Sequence, residues 1–247
     1  QNLKIGHYRI EEVTAPGGYT INKNYVEIKV DSDTLYQIDP ISGDAIIEVV
    51  YENHPVKGEF TVVKKGEVLK DYGKDFKYEI ENLAGAVFAI YAAEDIYTAD
   101  FQKDDAGNRI LEYAKDALVT ELTTDETGSA TIKNLPLGNY KVVEKTAPDG
   151  FVHNGTEQNV QYVYVDQNTP VVVESVEFIN ERQKVEISVE KQDAENGSTI
   201  AGAEFGLYAK EDIKAGEKVI VKADEQLCTA VTGEDGTAIF EQNLPFG

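Results

Sequence analysis

Among 247 residues there is one cysteine, Cys228, and neither methionine nor tryptophan. A single thiol excludes an internal disulfide, and with it CxxC redox and zinc-finger chemistry. The three histidines, His7, His54 and His153, lie far apart without metal-ligand spacing. No apolar run approaches the roughly 18–20 residues of a helical membrane span. Positive charge is also scarce. Lys and Arg number 23 against 45 Asp and Glu, for a net charge of −22 and a pI near 4.4. Such a field repels phosphate backbones and anionic headgroups, which argues against nucleic-acid and membrane-surface roles. The missing initiator methionine and signal peptide lead us to expect a segment of a larger protein. What is present suffices for a core: 41% of residues are apolar and 28% charged, which excludes a wholly disordered chain.

Internal similarity organises the chain. The stretch from Tyr8 through Glu12, Pro16 and Gly18 to Tyr19 matches Tyr140, Glu144, Pro148, Gly150 and Phe151 at an offset of 132. An Asn-Leu-x-x-Gly turn precedes each copy, at Asn2 to Gly6 and Asn134 to Gly138, and recurs as Asn243 to Gly247. A second repeat relates Gly85–Ile96 to Gly202–Ile213 at an offset of 117. The expected organisation is therefore one whole unit, 58–183, flanked by two halves. Residues 1–57 read as the C-terminal half of a first unit and 184–247 as the N-terminal half of a third. The junctions, His54 to Lys57 and Glu181 to Lys184, are too short to be floppy linkers.

The pattern within a unit is β-rich. Phe60–Lys64, Thr131–Ile132, Tyr140–Val142, Val160–Val165 and Val171–Phe178 are β-branched or aromatic runs punctuated by Gly, Asn and Asp. Thr124–Ser129 and Thr232–Thr237 read as hairpin turns, and Ala92–Ile96 and Ala209–Ile213 as short helical turns. No long amphipathic helix is evident. The expected class is all-β, a small sandwich repeated in tandem.

Three strands share an unusual feature: an apolar face that ends in a polar residue. Because side chains alternate along a strand, Phe60 and Val62 share a face with Lys64, Tyr140 and Val142 with Glu144, and Val176 and Phe178 with Asn180. The partial units repeat the pattern at Glu12, Asn53 and Lys191. Singly, each residue has a bland explanation: a lysine snorkels to water, a glutamate is solvated, and an asparagine caps a turn. Jointly, and in register, they read as a buried reactive trio. Burial disfavours charge, so the amine becomes a nucleophile and a neutral carboxyl can polarise an amide and shuttle its proton. Attack of Lys64 on the Asn180 side-chain carbonyl, with loss of ammonia, would join the two side chains, with Glu144 as acid and then base.

At these residues the chain resembles the Cna B-type, or SpaA-type, isopeptide-forming pilin-related domains of Gram-positive surface proteins. The Y-x-V-x-E-x-x-A-P-x-G-[YF] box stands at Tyr140 to Phe151, with its counterpart at Tyr8 to Tyr19. The L-x-G-A-x-F-x-[IL]-Y pattern stands at Leu83 to Tyr91 and, with Ile first, at Ile200 to Tyr208. The resemblance implies tandem prealbumin-like (reverse immunoglobulin-type) β-sandwiches, each closed by a Lys–Asn isopeptide bond between first and last strands. Carried over, these residues are Lys64 and Asn180 as crosslink and Glu144 as its proton shuttle. Glu12 and Asn53 belong to the first unit and Lys191 to the third, with their partners outside this chain. It further implies a structural stalk or spacer at the extracellular cell-wall surface, with neighbouring repeats of the same protein as partners, no cofactor and no turnover activity. An isopeptide staple would replace the missing disulfides.

Two departures stand out. Lys65 sits beside Lys64, and the Lys64–Gly85 connection spans 21 positions against 11 for Lys191–Gly202. Neither an LPxTG sorting signal nor a V-Y-P-K pilin motif occurs, because Leu135–Gly138 and Leu244–Gly247 are turns. A second reading is a ligand-binding sandwich that contacts host matrix protein or carbohydrate through aromatics such as Tyr36, Tyr97 and Tyr113. A turnover enzyme lacks support, with no Ser-His-Asp grouping, phosphate loop or metal cluster. The acidic turns at Asp104, Asp105 and Asn108, and at Asp31 and Asp33, lack EF-hand spacing and read as solvated. Cys228 aligns with Val119 inside a strand and reads as a small core residue. The sequons at Asn154 and Asn196 fall in Asn-Gly turns.

Overall fold

A computed structural model describes residues 3–32, 36–43, 45–99 and 102–245. Asn2 of the first turn, Asp33, and the closing Phe246 and Gly247 lie outside the described residues. Every regular element among the described residues is a strand. At the N-terminal end β1 (Gly6–Glu11) pairs antiparallel with β2 (Tyr25–Val30), and β3 (Gln37–Ile38) with β4 (Ala45–Ile46).

The central segment contains β5 (Lys57–Tyr72), β6 (Phe76–Asn82), β7 (Val87–Ala92), β8 (Ile96–Tyr97), β9 (Leu111–Tyr113), β10 (Leu118–Thr123), β11 (Ser129–Leu135), β12 (Gly138–Thr146), β13 (Glu157–Tyr162) and β14 (Val171–Asn180). One sheet runs β10-β7-β12-β13, and the other runs β11-β5-β14 with β6 also on β5. Two sheets that each bury one face must stack, and they do. Phe60, Val62 and Phe178 from one sheet meet Phe88, Ile90, Tyr140, Val142, Val160 and Tyr162 from the other. Phe88 and Phe178 touch across the interface with ring centroids 4.8 Å apart.

The strict alternation of β5 follows from this. Gly58, Phe60, Val62, Lys64 and Gly66 point inward, and the residues between them outward. β14 runs parallel to β5, in register from Lys57↔Val171 to Gly66↔Asn180, so the first and last strands of the sandwich are neighbours. The C-terminal segment holds β15 (Ile187–Glu190), β16 (Glu204–Tyr208), β17 (Ile213–Ala215), β18 (Lys218–Val221), β19 (Gln226–Val231) and β20 (Thr237–Phe240), paired β15-β20, β16-β19 and β17-β18.

Three local expectations are corrected. Ala92–Ile96 and Ala209–Ile213 are bends, not helical turns, because strand pairing on both sides leaves no room for a helical turn. Thr124–Ser129 and Thr232–Thr237 do not close hairpins. They carry the chain from one sheet to the other, since β10 pairs with β7 while β11 pairs with β5, and β19 with β16 while β20 pairs with β15. The Val160–Val165 run leaves the ladder after Tyr162.

Two features fix these crossings. Gly128, with φ +73°, offers its carbonyl to the Lys64 N–H at 2.8 Å, and a Cβ there would lie 2.6 Å from that of Asn82. A buried Thr124 hydroxyl donates to the Leu83 carbonyl and accepts from the Ala86 N–H, at 2.9 and 3.1 Å. Thr232 makes the same two bonds with Ile200 and Ala203.

Candidate functional site

Lys64, Glu144 and Asn180 come together at one end of the sandwich core. Each arrives on an inward phase: Lys64 after Phe60 and Val62 on β5, Glu144 after Tyr140 and Val142 on β12, and Asn180 after Phe178 on β14. All three are at most 1% exposed. The Lys64 Nζ lies 3.2 Å from Glu144 Oε1. The Asn180 amide donates to both carboxylate oxygens, at 3.0 and 2.9 Å. The carboxylate thus bridges the amine and the amide.

Two atoms of this cluster are left over. Lys64 Nζ sits at ion-pair distance without a well-directed hydrogen bond, and Asn180 Oδ1 has no hydrogen-bond partner although both atoms are buried. Orphaned buried polar groups are rare and cost about 1–3 kcal/mol each. They are the two functional groups whose union would make an amide. Burial pushes the Lys64 amine below its usual value of 10.5, and the facing Glu144 opposes this only in part. Lowering the pKa eases loss of the proton that blocks the nitrogen's lone pair.

The surroundings close the site. A Cβ on Gly66 would fall 2.5 Å from the Phe151 ring, 2.7 Å from Leu83 and 2.9 Å from the Asn180 carbonyl, so only glycine lets β5 approach β14 here. Phe151 follows Gly150 of the box, and this stretch pairs with the chain just beyond Asn180. Val152 donates to Glu181 and Gln183 to Gly150, at 2.9 and 2.7 Å. His153 Nε2 lies 2.7 Å from the Glu144 carbonyl. Lys65 points outward and pairs with Glu177 at 2.5 Å, which leaves Lys64 as the lysine facing the carboxylate.

The other expected site residues are placed as follows. Asn53 donates to both oxygens of Glu12, at 2.9 and 2.8 Å, and to the Thr20 carbonyl, while the Asn22 N–H donates to Glu12. This is the Asn180–Glu144 geometry again, half-buried. Lys191 has the backbone frame of Lys64: its N–H reaches the Gly236 carbonyl and its carbonyl accepts from Ile200, at 2.8 and 2.9 Å. Its side chain is exposed and is not brought to either Glu12 or Asn53.

Of the candidate recognition aromatics, Tyr113 packs on the core, Tyr97 lies under the Arg109 guanidinium at 4.4 Å, and Tyr36 donates to the Asp31 carbonyl. Asp104 accepts the N–H groups of Ala106 and Asn108 in a turn. Asn154 and Asn196 are exposed and serve their own turns. Among the described residues no group of three or more His, Cys, Asp or Glu side chains could hold a metal. Sequence reasoning passed over Gly66, His153, Thr124 and Arg182. Only Thr124 carried a readable signal, its recurrence as Thr232 ahead of a Gly-containing turn.

Comparison with known proteins yields a family profile, SpaA, described as a prealbumin-like fold domain, that matches residues 1–42, 74–177 and 185–247. No curated protein matches significantly. Among solved structures, the Bacillus anthracis TIE protein is 26% identical with a TM-score of 0.58, covering 100% of this chain and 35% of its own. A streptococcal ancillary pilin is 16% identical at a TM-score of 0.34, covering 99% of this chain and 65% of its own. The full-length major pilin SpaD from Corynebacterium diphtheriae is 23% identical at 0.34, covering 64% and 38%. The chain thus spans about a third of the TIE protein and less than two thirds of the streptococcal pilin.

Proposed function

The chain belongs to the SpaA prealbumin-like domain family, and from that premise we propose that it is a structural stalk segment of a Gram-positive surface or pilus-related protein, strengthened by a self-formed Lys64–Asn180 isopeptide bond. In this reading 58–183 is a complete module, 1–57 the C-terminal half of the one before, and 184–247 the N-terminal half of the one after. Its partners are neighbouring repeats, and its setting is the extracellular cell wall.

The observation that carries the reading is the buried Lys64–Glu144–Asn180 cluster with its two orphaned atoms. The neutral Lys64 amine attacks the Asn180 side-chain carbonyl carbon, forming the new C–N bond, while a protonated Glu144 gives its proton to the carbonyl oxygen. Glu144 then takes a proton from the attacking nitrogen and delivers it to the amide nitrogen. The C–N bond to that nitrogen breaks and ammonia leaves while the hydroxyl on the same carbon returns its proton to Glu144 and becomes the carbonyl of the new amide, so the carboxyl cycles and is not consumed. Fixed proximity replaces a bimolecular encounter, and for well-oriented intramolecular reactions this removes about 7–11 kcal/mol of the barrier. The reaction occurs once per chain.

Intact mass tests this directly. The folded wild type is expected to weigh one ammonia less than its sequence, with a Lys64–Asn180 branched peptide after digestion. Lys64→Ala and Asn180→Ala restore the sequence mass of the unreacted variant, and Glu144→Ala leaves a folded, unreacted chain. A folded wild type of full sequence mass would falsify the proposal.

A further inference from the structure

The connection from Lys64 to Gly85 has a purpose of its own. β5 does not stop at the sandwich edge. Beyond Lys64 it continues to Tyr72, turns at Gly73–Asp75 and returns as β6, paired from Lys65↔Asn82 to Tyr72↔Phe76 with a register shift between Leu69 and Asp71. This two-stranded arm lands on the C-terminal segment. Phe76, 3% exposed, joins Ala209, Val221 and Leu244 in a second core, flanked by Leu69, Tyr72 and Tyr78 from the arm and by Ile187, Leu207, Ile213 and Leu227 from the other side. An isolated hairpin is marginal in water, so this apolar landing is what the arm needs to stay formed.

Polar contacts fix the seat. Tyr72 Oη donates to the Leu227 carbonyl at 3.1 Å, Tyr78 Oη to the Asn243 carbonyl at 2.8 Å, and the Asn243 N–H to Asp75 Oδ1 at 3.0 Å. Lys218 pairs with Asp71 at 3.1 Å. Arg182, two residues past Asn180 and 4% exposed, donates to the Leu244 carbonyl at 2.9 Å and stacks 4.1 Å over the Tyr78 ring.

The surface so gripped is the same end of the repeat that faces its predecessor at the other junction. There Tyr97, Glu112, Pro136 and Leu137 line a cleft with Gly18 and Val56. Pro136 and Leu137 belong to the Asn-Leu-Pro turn equivalent to Asn243–Pro245, and β8 is equivalent to β17.

We propose that the β5–β6 hairpin is an inter-module brace, a docking arm whose partner is the leading end of the next repeat: its Asn-Leu-Pro turn and the apolar patch around Val221 and Leu244. The arm and the connecting segment Glu181–Lys184 form two links between the modules, which turns a hinge into a fixed joint. The short Lys191–Gly202 connection, closed by one bridge at Gln192–Thr199, lacks such an arm. Connection length at this position therefore reports which joints are stiff. The inference stands whether or not Lys64 and Asn180 react.

Cys228, half-buried on β19 and the only thiol, is a built-in reporter beside the arm. The experiment follows its modification by an aromatic disulfide reagent, with amide exchange recorded in parallel. In Phe76→Ala/Tyr78→Ala the arm releases. Thiol modification and exchange of β17–β18 should then accelerate about tenfold or more, as expected for lost local protection, while β7 and β12 exchange as in wild type. If β7 and β12 also lose protection, the joint is tested by Asp75→Ala/Lys218→Glu, both exposed positions, where about threefold acceleration confined to the C-terminal segment is expected. Rates within twofold of wild type, in whichever variant keeps β7 and β12 protected, would overturn the brace.

Discussion

At the scale of single residues, the cluster at Lys64 makes pH the sharpest probe. Its amine titrates below 10.5 in the folded chain because burial outweighs the attraction of Glu144. Between the folded pKa and 10.5 the unfolded chain holds more protons than the folded one. Stability of an unreacted form therefore rises with pH across that window, and below the folded pKa, where both states are protonated, it stays at its lower level. Asn180→Ala, which keeps the amine but cannot condense, should show this rise in denaturant midpoint. Lys64→Ala/Asn180→Ala should not, which isolates the lysine. Gly66 supplies a second residue-scale expectation. A methyl there would press on the Phe151 ring, Leu83 and the Asn180 carbonyl, and overpacking of this kind costs about 1–3 kcal/mol. Because the displaced backbone carries Asn180, Gly66→Ala should also slow or prevent condensation, read as a lasting fraction of full-mass protein. A variant that crosslinks as completely as wild type would show that β5 can retreat without moving the amide.

At the scale of elements, the alternation along β5, β12 and β14 was legible because burial on one face imposes period two. The phases of Lys64, Glu144 and Asn180 follow from Phe60, Tyr140 and Phe178 alone. Which sheet each strand joins was not legible. A turn such as Asp125–Gly128 has the same local chemistry whether it closes a hairpin or crosses a sandwich, and only the partners of β10 and β11 decide. The β5–β6 arm was visible as an extra length of connection but not as a strand pair, since its apolar residues are satisfied by a segment more than 100 positions away. Arg182 likewise reads as an ordinary junction charge until Tyr78 and Leu244 surround it. The crossing itself depends on Thr124. Its hydroxyl satisfies both a buried carbonyl and a buried N–H, so Thr124→Val orphans two groups and should lower unfolding free energy by about 2 kcal/mol or more. Denaturant unfolding in a Lys64→Ala background, where no crosslink masks the loss, measures this. Thr124→Ser, which keeps the hydroxyl, should recover most of it.

At the scale of the whole molecule, the parallel pairing of β5 and β14 decides how tension travels. A pull on the two ends of 58–183 enters β5 at Lys57 and leaves β14 at Asn180, at opposite ends of one strand pair. Without a covalent tie the load shears that ladder, and once it yields the sandwich unravels. With a Lys64–Asn180 bond the load runs along β5 to residue 64, crosses the new amide and exits, so everything between lies outside the path. The bond closes a loop of 180 − 64 = 116 residues. By chain-entropy reasoning a tie of that size stabilises by about 5 kcal/mol, which should appear as a higher melting temperature for wild type than for Asn180→Ala. Mechanically the consequence is larger. At about 3.4 Å per extended residue the loop hides about 400 Å of chain. Single-molecule stretching of wild type should show no release of that length from this segment, while Lys64→Ala should give it up in one step at ordinary sandwich forces. The β5–β6 arm lies inside the loop, beyond Lys64, and holds the next module through side-chain contacts alongside the covalent Glu181–Lys184 connection. Wild type that yields the full length at the same force as Lys64→Ala would mean that the first and last strands are held by hydrogen bonds alone.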